Sequence, residues 1–149
     1  MNITLVILYS YLLGSIPFGL IYAKIAGLGD VRNIGSGNIG ATNVLRTGNK
    51  QVAAYTLLSD IAKGSIAVLI TNKFFSEYSL LSFLIVYLGH IFPVWLKFKG
   101  GKGVATFIGG ILITNHILGL VFLITWGVIA KIFKISSLSA IISFIVTLV

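Results

Sequence analysis

Two glycine-rich, cationic segments hold most of the side chains in this sequence that could do chemistry. The first is Asp30-Val31-Arg32-Asn33-Ile34-Gly35-Ser36-Gly37-Asn38-Ile39-Gly40-Ala41-Thr42-Asn43-Val44-Leu45-Arg46. Glycines let backbone approach a ligand closely. Successive N–H groups in such a turn form an anion-binding nest, and Arg32 and Arg46 bring fork-shaped donors suited to phosphate. A helix opening at Ala41 would add an N-terminus that favours anions. A plain turn needs only a few such residues, whereas this run is long and carries two arginines.

The second segment is Gly89-His90-Ile91-Phe92-Pro93-Val94-Trp95-Leu96-Lys97-Phe98-Lys99-Gly100-Gly101-Lys102-Gly103-Val104-Ala105-Thr106. Its centre, Lys99 to Gly103, is a short lysine-bearing loop at an expected helix start, which again suits phosphate. Lysines that merely anchor a chain at lipid headgroups do not need three glycines among them. His90 closes an apolar segment beside Pro93 and Trp95, where a lone histidine is as often a structural hydrogen-bonding group as a catalytic one. Asp60 and Lys63 lie one turn apart in another apolar segment. Ionisable groups there are costly unless paired or facing a polar cavity, so they read first as mutual support and second as site lining.

Familiar motifs do not fit. Gly35, Gly37 and Gly40 spell G-x-G-x-x-G, and Asp60 follows at about the dinucleotide spacing, but no strand precedes the run. Around Lys102 a Walker A loop would need Ser or Thr at position 103 and Gly at 96, where Gly103 and Leu96 stand. The carboxylates are Asp30, Asp60 and Glu77 only. They supply no catalytic pair, no H-E-x-x-H and no metal cluster, and neither His90 nor His116 has an acid close to it in sequence. An enzyme made from these residues works by positioning and charge stabilisation on an already activated donor.

The elements that must hold these segments are membrane helices. Of 149 residues, 57% are hydrophobic and 9% charged, with mean hydropathy +1.05. A soluble fold of this size leaves too much area in water to hide that much apolar surface. The expected fold is an all-α integral membrane protein, a multi-pass helical bundle in one transmembrane domain over 1–149. Candidate spans are roughly 3–23, 51–71, 79–96, 104–130 and 135–149. Met1 to Tyr22 lacks a basic leader and reads as a retained helix. There are no cysteines, which removes thiol chemistry and disulfides.

Charge orients the bundle. The net charge is +8, which suits nucleic acid, anionic lipid or an anionic substrate until the charges are placed. Loop 24–50 carries Lys24, Arg32, Arg46 and Lys50 against Asp30; loop 72–78 is balanced; loop 97–103 carries three lysines. The positive-inside rule puts the first and third in the cytoplasm. If 104–130 were one helix, Lys131 and Lys134 would fall outside and Thr114-Asn115-His116 would sit deep in lipid. A turn at that triplet, splitting the stretch into 104–113 and 117–130, restores the pattern at the cost of one short segment.

Gly14 to Gly19, the Gly35 to Asn43 run with Arg46, Asp60 with Lys63-Gly64, Gly89-His90 with Phe98 to Thr106, and Ser136-Ser137-Leu138-Ser139 together resemble the bacterial acyl-phosphate:glycerol-3-phosphate acyltransferase family, PlsY. The resemblance covers nearly the whole chain. It implies acyl transfer from an acyl phosphate to the 1-hydroxyl of glycerol 3-phosphate, giving lysophosphatidic acid and phosphate without a cofactor. It implies a seven-helix fold in the bacterial inner membrane, N-terminus out and active site in the cytoplasm, of which about six segments are present here. The implied partners are the two substrates and membrane lipid, with no nucleic acid. Ser36 and Arg46 are the implied catalytic residues, and Asn38, Thr42, Asn43 and His90 line the pocket. Lys99, Gly100, Gly101, Lys102 and Gly103 hold the glycerol 3-phosphate phosphate. With no protein base evident, the donor's phosphate is expected to act as both leaving group and proton acceptor. The family's third motif, a His and an Asn near the C-terminus, and its seventh helix lie beyond Val149. Two other readings stand beside the enzyme: a small permease for an anionic metabolite, and an inactive truncated lipid-binding subunit.

Overall fold

In a computed structural model that describes residues 2–148, all regular structure among the described residues is helical. Helices α1 (Asn2–Ser15) and α2 (Phe18–Ile25) form one broken rod. After the first polar loop come the single turn α3 (Ala41–Val44) and the long α4 (Lys50–Phe74). Then follow α5 (Ser79–Ile91), α6 (Val104–Thr114), α7 (His116–Phe133) and α8 (Ser136–Leu148). Four stretches, Asn2–Ile25, Lys50–Phe74, Ser76–Leu96 and His116–Phe133, are long and apolar enough to cross a membrane. Large side chains such as Leu8, Leu58, Leu80 and Ile124 stand exposed along them, as expected where the surrounding solvent is lipid.

The rod breaks at Pro17 for a simple reason. Proline removes a backbone donor and blocks regular helix bonding. Leu20 donates to the Pro17 carbonyl at 3.0 Å, so the Ile16 carbonyl loses its usual partner along the helix. That oxygen accepts a 2.8 Å hydrogen bond from Lys63 Nζ on α4. A sequence break in one helix thus creates the acceptor that lets a lysine be buried in another.

Two crossings hold the bundle, α1 on α5 and α4 on α6. Both are built on glycine, because in lipid the helices associate through close backbone packing. A Cβ at Gly14 would sit 2.1 Å from the Val86 carbonyl oxygen, and one at Gly109 would sit 2.0 Å from that of Ile61. Hydroxyls bond across the same contacts: Ser10 to Ser82 at 2.9 Å, and Ser65 to the Gly109 carbonyl at 2.9 Å. Phe107, Phe122 and Phe144 join α6 to the α7–α8 hairpin, with ring centroids 4.7–5.0 Å apart.

The turn expected at Thr114-Asn115-His116 is present. α6 ends at Thr114, and Asn115 caps α7 by accepting Leu118 N–H at 3.1 Å. At 11 residues α6 is roughly 16 Å long, about half a bilayer core. The reversal brings Lys134 and Ser136 back to the end of the bundle that carries both glycine-rich loops, where Thr42 Oγ1 lies 3.4 Å from Ser136 Oγ.

Candidate active site

At that end the two loops, α4 and the α7–α8 turn enclose a cleft of about 270 Å³. Its apolar lining comes from the helices, Leu57 and Ile61 of α4, Ile108 of α6, and Leu123 and Trp126 of α7, while the loops bring most of the polar groups. Of the residues expected from sequence, Ser36, Asn38, Thr42, Asn43, Arg46, His90, Lys102 and Gly103 line it; Lys99, Gly100 and Gly101 lie outside the lining.

The first loop is ordered from within. Asp30 caps the turn Val31–Asn33, accepting Arg32 N–H at 2.9 Å, and also binds the Arg32 guanidinium at 2.5 Å. The hydrogen bond from the Arg32 side chain, then that from its backbone, hold the exposed Asp30 carboxyl down at about 2. Arg32 is thereby engaged outside the cleft, so of the two arginines only Arg46 faces it. Asn38 accepts Gly40 N–H at 2.8 Å and turns the chain into α3. That helix does open at Ala41, but one turn is too short to present a helix N-terminus of any strength. Asn43 is the organiser: almost fully buried, it donates Nδ2 to the Val31 carbonyl at 2.7 Å. Its Oδ1 accepts from Ser36 N–H, the Ser36 hydroxyl and Arg46 Nη1 at 3.0, 3.3 and 3.3 Å. Gly35 has φ +53, and a Cβ there would lie 2.5 Å from both Asn43 Oδ1 and the Arg46 side chain. A glycine is therefore required where these three meet.

In the second loop the glycines serve a different purpose from the one expected. Gly100 N–H donates to the Ile91 carbonyl at 2.9 Å and Gly101 N–H to that of His90 at 3.1 Å. Those donors satisfy the last carbonyls of α5 and are not free to form a nest. The free donors come next: the N–H groups of Val104 and Ala105, which line the cleft at the start of α6, have no acceptor among the described residues. A helix start with open N–H groups beside Lys102 and Arg46 favours an anion. Lys134 adds a third cation to the lining.

Beneath the mouth lies a cluster that the linear sequence hides. The Asp60 and Lys63 side chains are 3% and 1% exposed, with Lys63 Nζ 2.8 Å from Asp60 Oδ1. This confirms the mutual pairing expected of them, and Asp60 also lines the cleft. His90 Nδ1 is 3.6 Å from the same oxygen. The expectation that His90 has no acid near it is therefore corrected: the acid comes from α4, across the α4–α5 packing. Ser136 and Ser137 complete the lining. Asp60 was signalled by its charge inside an apolar segment, whereas nothing local to Lys134 pointed to the cleft.

Comparison with known proteins follows this geometry. Residues 4–149 match the family model described as glycerol-3-phosphate acyltransferase. Among similar curated proteins, the glycerol-3-phosphate acyltransferase of Sinorhizobium medicae (strain WSM419) is 57% identical over 137 residues, covering 92% of this chain and 68% of that protein. The glycerol-3-phosphate acyltransferase of Pelagibacter ubique (strain HTCC1062) is 54% identical over 142 residues, covering 95% and 74%. The glycerol 3-phosphate form of PlsY (YgiH), an integral membrane glycerol 3-phosphate acyltransferase, superposes with a TM-score of 0.91 at 38% identity over 99% of this chain and 74% of that one. The lysophosphatidic acid form gives 0.85 at 34% identity, with the same coverage.

Proposed function

The chain belongs to the glycerol-3-phosphate acyltransferase family, and from that premise we propose that its cleft acylates the 1-hydroxyl of glycerol 3-phosphate with an acyl phosphate as donor. The products are lysophosphatidic acid and inorganic phosphate. One observation carries this most directly. Arg46, Lys102 and the free N–H groups of α6 line a cleft together with the apolar Leu57, Ile61, Ile108, Leu123 and Trp126. That arrangement suits a phosphate head beside a fatty chain.

In this proposal Lys102, Gly103 and the start of α6 hold the phosphate of glycerol 3-phosphate. Arg46 neutralises the donor's phosphate, and the Ser36 hydroxyl, aimed by Asn43, contacts the reacting groups. Asn38 and Thr42 shape the first loop around them. Gly100 and Gly101 act through the turn that presents Lys102, and Lys99 through its positive field. The donor arrives activated, so preorganised charge supplies the catalysis and no cofactor is needed. The protein sits in the bacterial inner membrane with the cleft facing the cytoplasm, because its basic loops gather at that end. Residues 1–149 act as one transmembrane domain.

The test is a donor panel. Membranes carrying the protein are given labelled glycerol 3-phosphate with acyl phosphate or acyl-CoA. Labelled lysophosphatidic acid from acyl phosphate alone is the expected result. Product from acyl-CoA at equal rate would overturn the donor assignment. Uptake of label into vesicles without acylation would support the permease.

A further inference from the structure

A second concavity, of about 440 Å³, lies outside the cleft where α2 gives way to the first loop. Leu20, Lys24, Gly27, Gly29, Asp30 and Arg32 line it. The apolar stretch Asn2–Ile25 ends here, which puts the concavity at the level of lipid headgroups. Leu20 stands one turn deeper on α2, and Ile25, next to Lys24, is 78% exposed. The chain leaves α2 with the last carbonyls already satisfied. Ala26 N–H donates to Tyr22, Gly27 to Lys24 and Leu28 to Ala23, at 2.9, 3.2 and 2.9 Å. The N–H groups of Gly29 and Asp30 come next and have no acceptor among the described residues. Gly27 and Gly29 have φ +67 and +75, and a Cβ at either would meet nothing within 4 Å. Glycine here serves the conformation of the turn, and the space above it stays open. Successive N–H groups on such a turn form an anion-binding nest.

Two cations flank those N–H groups. Lys24 is exposed, and no acceptor engages its ammonium among the described residues. Arg32 binds the Asp30 carboxylate through Nε and Nη2 at 2.5–3.0 Å, which fixes the guanidinium and leaves Nη1 uncommitted. With two cations against one carboxylate, the concavity is net positive. Such forks and nests suit phosphate oxygens. A free phosphate has no use for an apolar wall at the edge of the bilayer, whereas a lipid does. We infer that Lys24, Arg32 and the N–H groups of Gly29 and Asp30 bind the phosphate of an anionic phospholipid, whose chains run down α2 past Leu20. Val31 belongs to the same turn, and its carbonyl accepts Asn43 Nδ2 at 2.7 Å. The headgroup therefore rests against the turn that holds the organiser of the first loop.

The test is read at the site itself. The intact protein, labelled with nitrogen-15 glycine in a zwitterionic detergent, is titrated with short-chain phosphatidylglycerol, short-chain phosphatidylcholine or inorganic phosphate, and the Gly27 and Gly29 amide resonances are followed. Both should shift saturably with phosphatidylglycerol and stay in place with phosphatidylcholine, while inorganic phosphate should act only at far higher concentration. Lys24→Gln should weaken phosphatidylglycerol binding about fivefold, the worth of one lysine at an anionic lipid surface. Lys73→Gln, at the opposite end of the bundle, should leave it unchanged. The proposal is overturned if phosphatidylglycerol moves neither resonance, if phosphatidylcholine moves them equally, or if Lys24→Gln binds as tightly as the unsubstituted protein. Saturation by inorganic phosphate at the same concentration would overturn the lipid assignment in favour of a free phosphate. If Lys24→Gln does not fold, Gly29→Asn decides, because Asn tolerates the left-handed backbone and puts a side chain into the open space. Loss of the Gly27 shift in that variant supports the site, and its persistence contradicts it. Binding is read without acyl transfer, so it stands apart from the proposed reaction.

Discussion

The Ser36 N–H and hydroxyl both point at the Oδ1 of Asn43, at 3.0 and 3.3 Å, and Arg46 Nη1 shares that oxygen. One buried amide therefore sets the positions of two proposed catalytic side chains. Replacing Asn43 by Ala removes the shared acceptor and leaves the Val31 carbonyl with only its 3.4 Å bond from Ile34 N–H. A displacement of order 1 Å at a catalytic group costs about 100-fold in rate, and unsatisfied buried groups cost about 1–3 kcal/mol each. Asn43→Ala should show both losses in kcat/KM and in thermal unfolding. Asn43→Asp keeps the acceptor and loses the donor, so its activity should fall between the two.

The Asp60–Lys63 pair makes a second prediction. Removing one member of a buried ion pair leaves a charge in a low-dielectric interior and costs about 3–5 kcal/mol. Asp60→Asn and Lys63→Met should each lower the unfolding midpoint in detergent. The double variant should recover most of it, because no charge is left unpaired. Activity should not return with stability, since Asp60 also faces His90.

A third concerns the α4–α6 crossing. At Gly109 even one methyl would press on the Ile61 backbone at 2.0 Å, and backbone cannot step aside as a side chain can. Gly109→Val should cost at least about 3 kcal/mol, the upper range for overpacking, and sharply reduce folded yield. A Cβ at Gly127 on α7 meets nothing within 4 Å. Gly127→Ala should raise stability by about 0.5–1 kcal/mol through lower backbone entropy.

The fourth is a titration. Asp30 is held at about 2, below its ordinary 3.8, chiefly by hydrogen bonds from Arg32. Its folded value is the lower one, so the support it gives the loop is complete above pH 4 and is lost as pH falls toward 2. The loop should be insensitive to Asp30 between pH 6 and 8. Carbon-13 titration of the Asp30 carboxyl should give a midpoint about 2, moving back toward 3.8 in Arg32→Gln.

Much of the fold was legible in the sequence because hydropathy and loop charge are local quantities. They gave the helical membrane class, the mutual pairing of Asp60 and Lys63, and the turn at Asn115 that returns Lys134 to the side of the basic loops. The loops were recognisable as anion-binding segments because glycine and arginine are read one residue at a time. What could not be read was partnership across the bundle. Arg32 reads as a fork-shaped phosphate donor, but Asp30 two residues away engages it first. Gly100 and Gly101 were expected to offer N–H groups, but the carbonyls of α5 already use them. His90 looked isolated because its acid lies on a different helix, and Asn43 gave no local sign of being a hub. The chain spans 68% of the length of the Sinorhizobium medicae relative.

The central claim is that this cleft acylates glycerol 3-phosphate through Ser36 and Arg46. The direct measurement is the initial rate of labelled lysophosphatidic acid formation in membranes supplied with acyl phosphate and labelled glycerol 3-phosphate, comparing the unsubstituted protein with Ser36→Ala and Arg46→Ala. The account predicts product from the unsubstituted protein and a fall of about 100-fold or more in each variant at unchanged folded yield, as for loss of a transition-state donor. Product formed equally well by both variants, or none from any well-folded form, would contradict it.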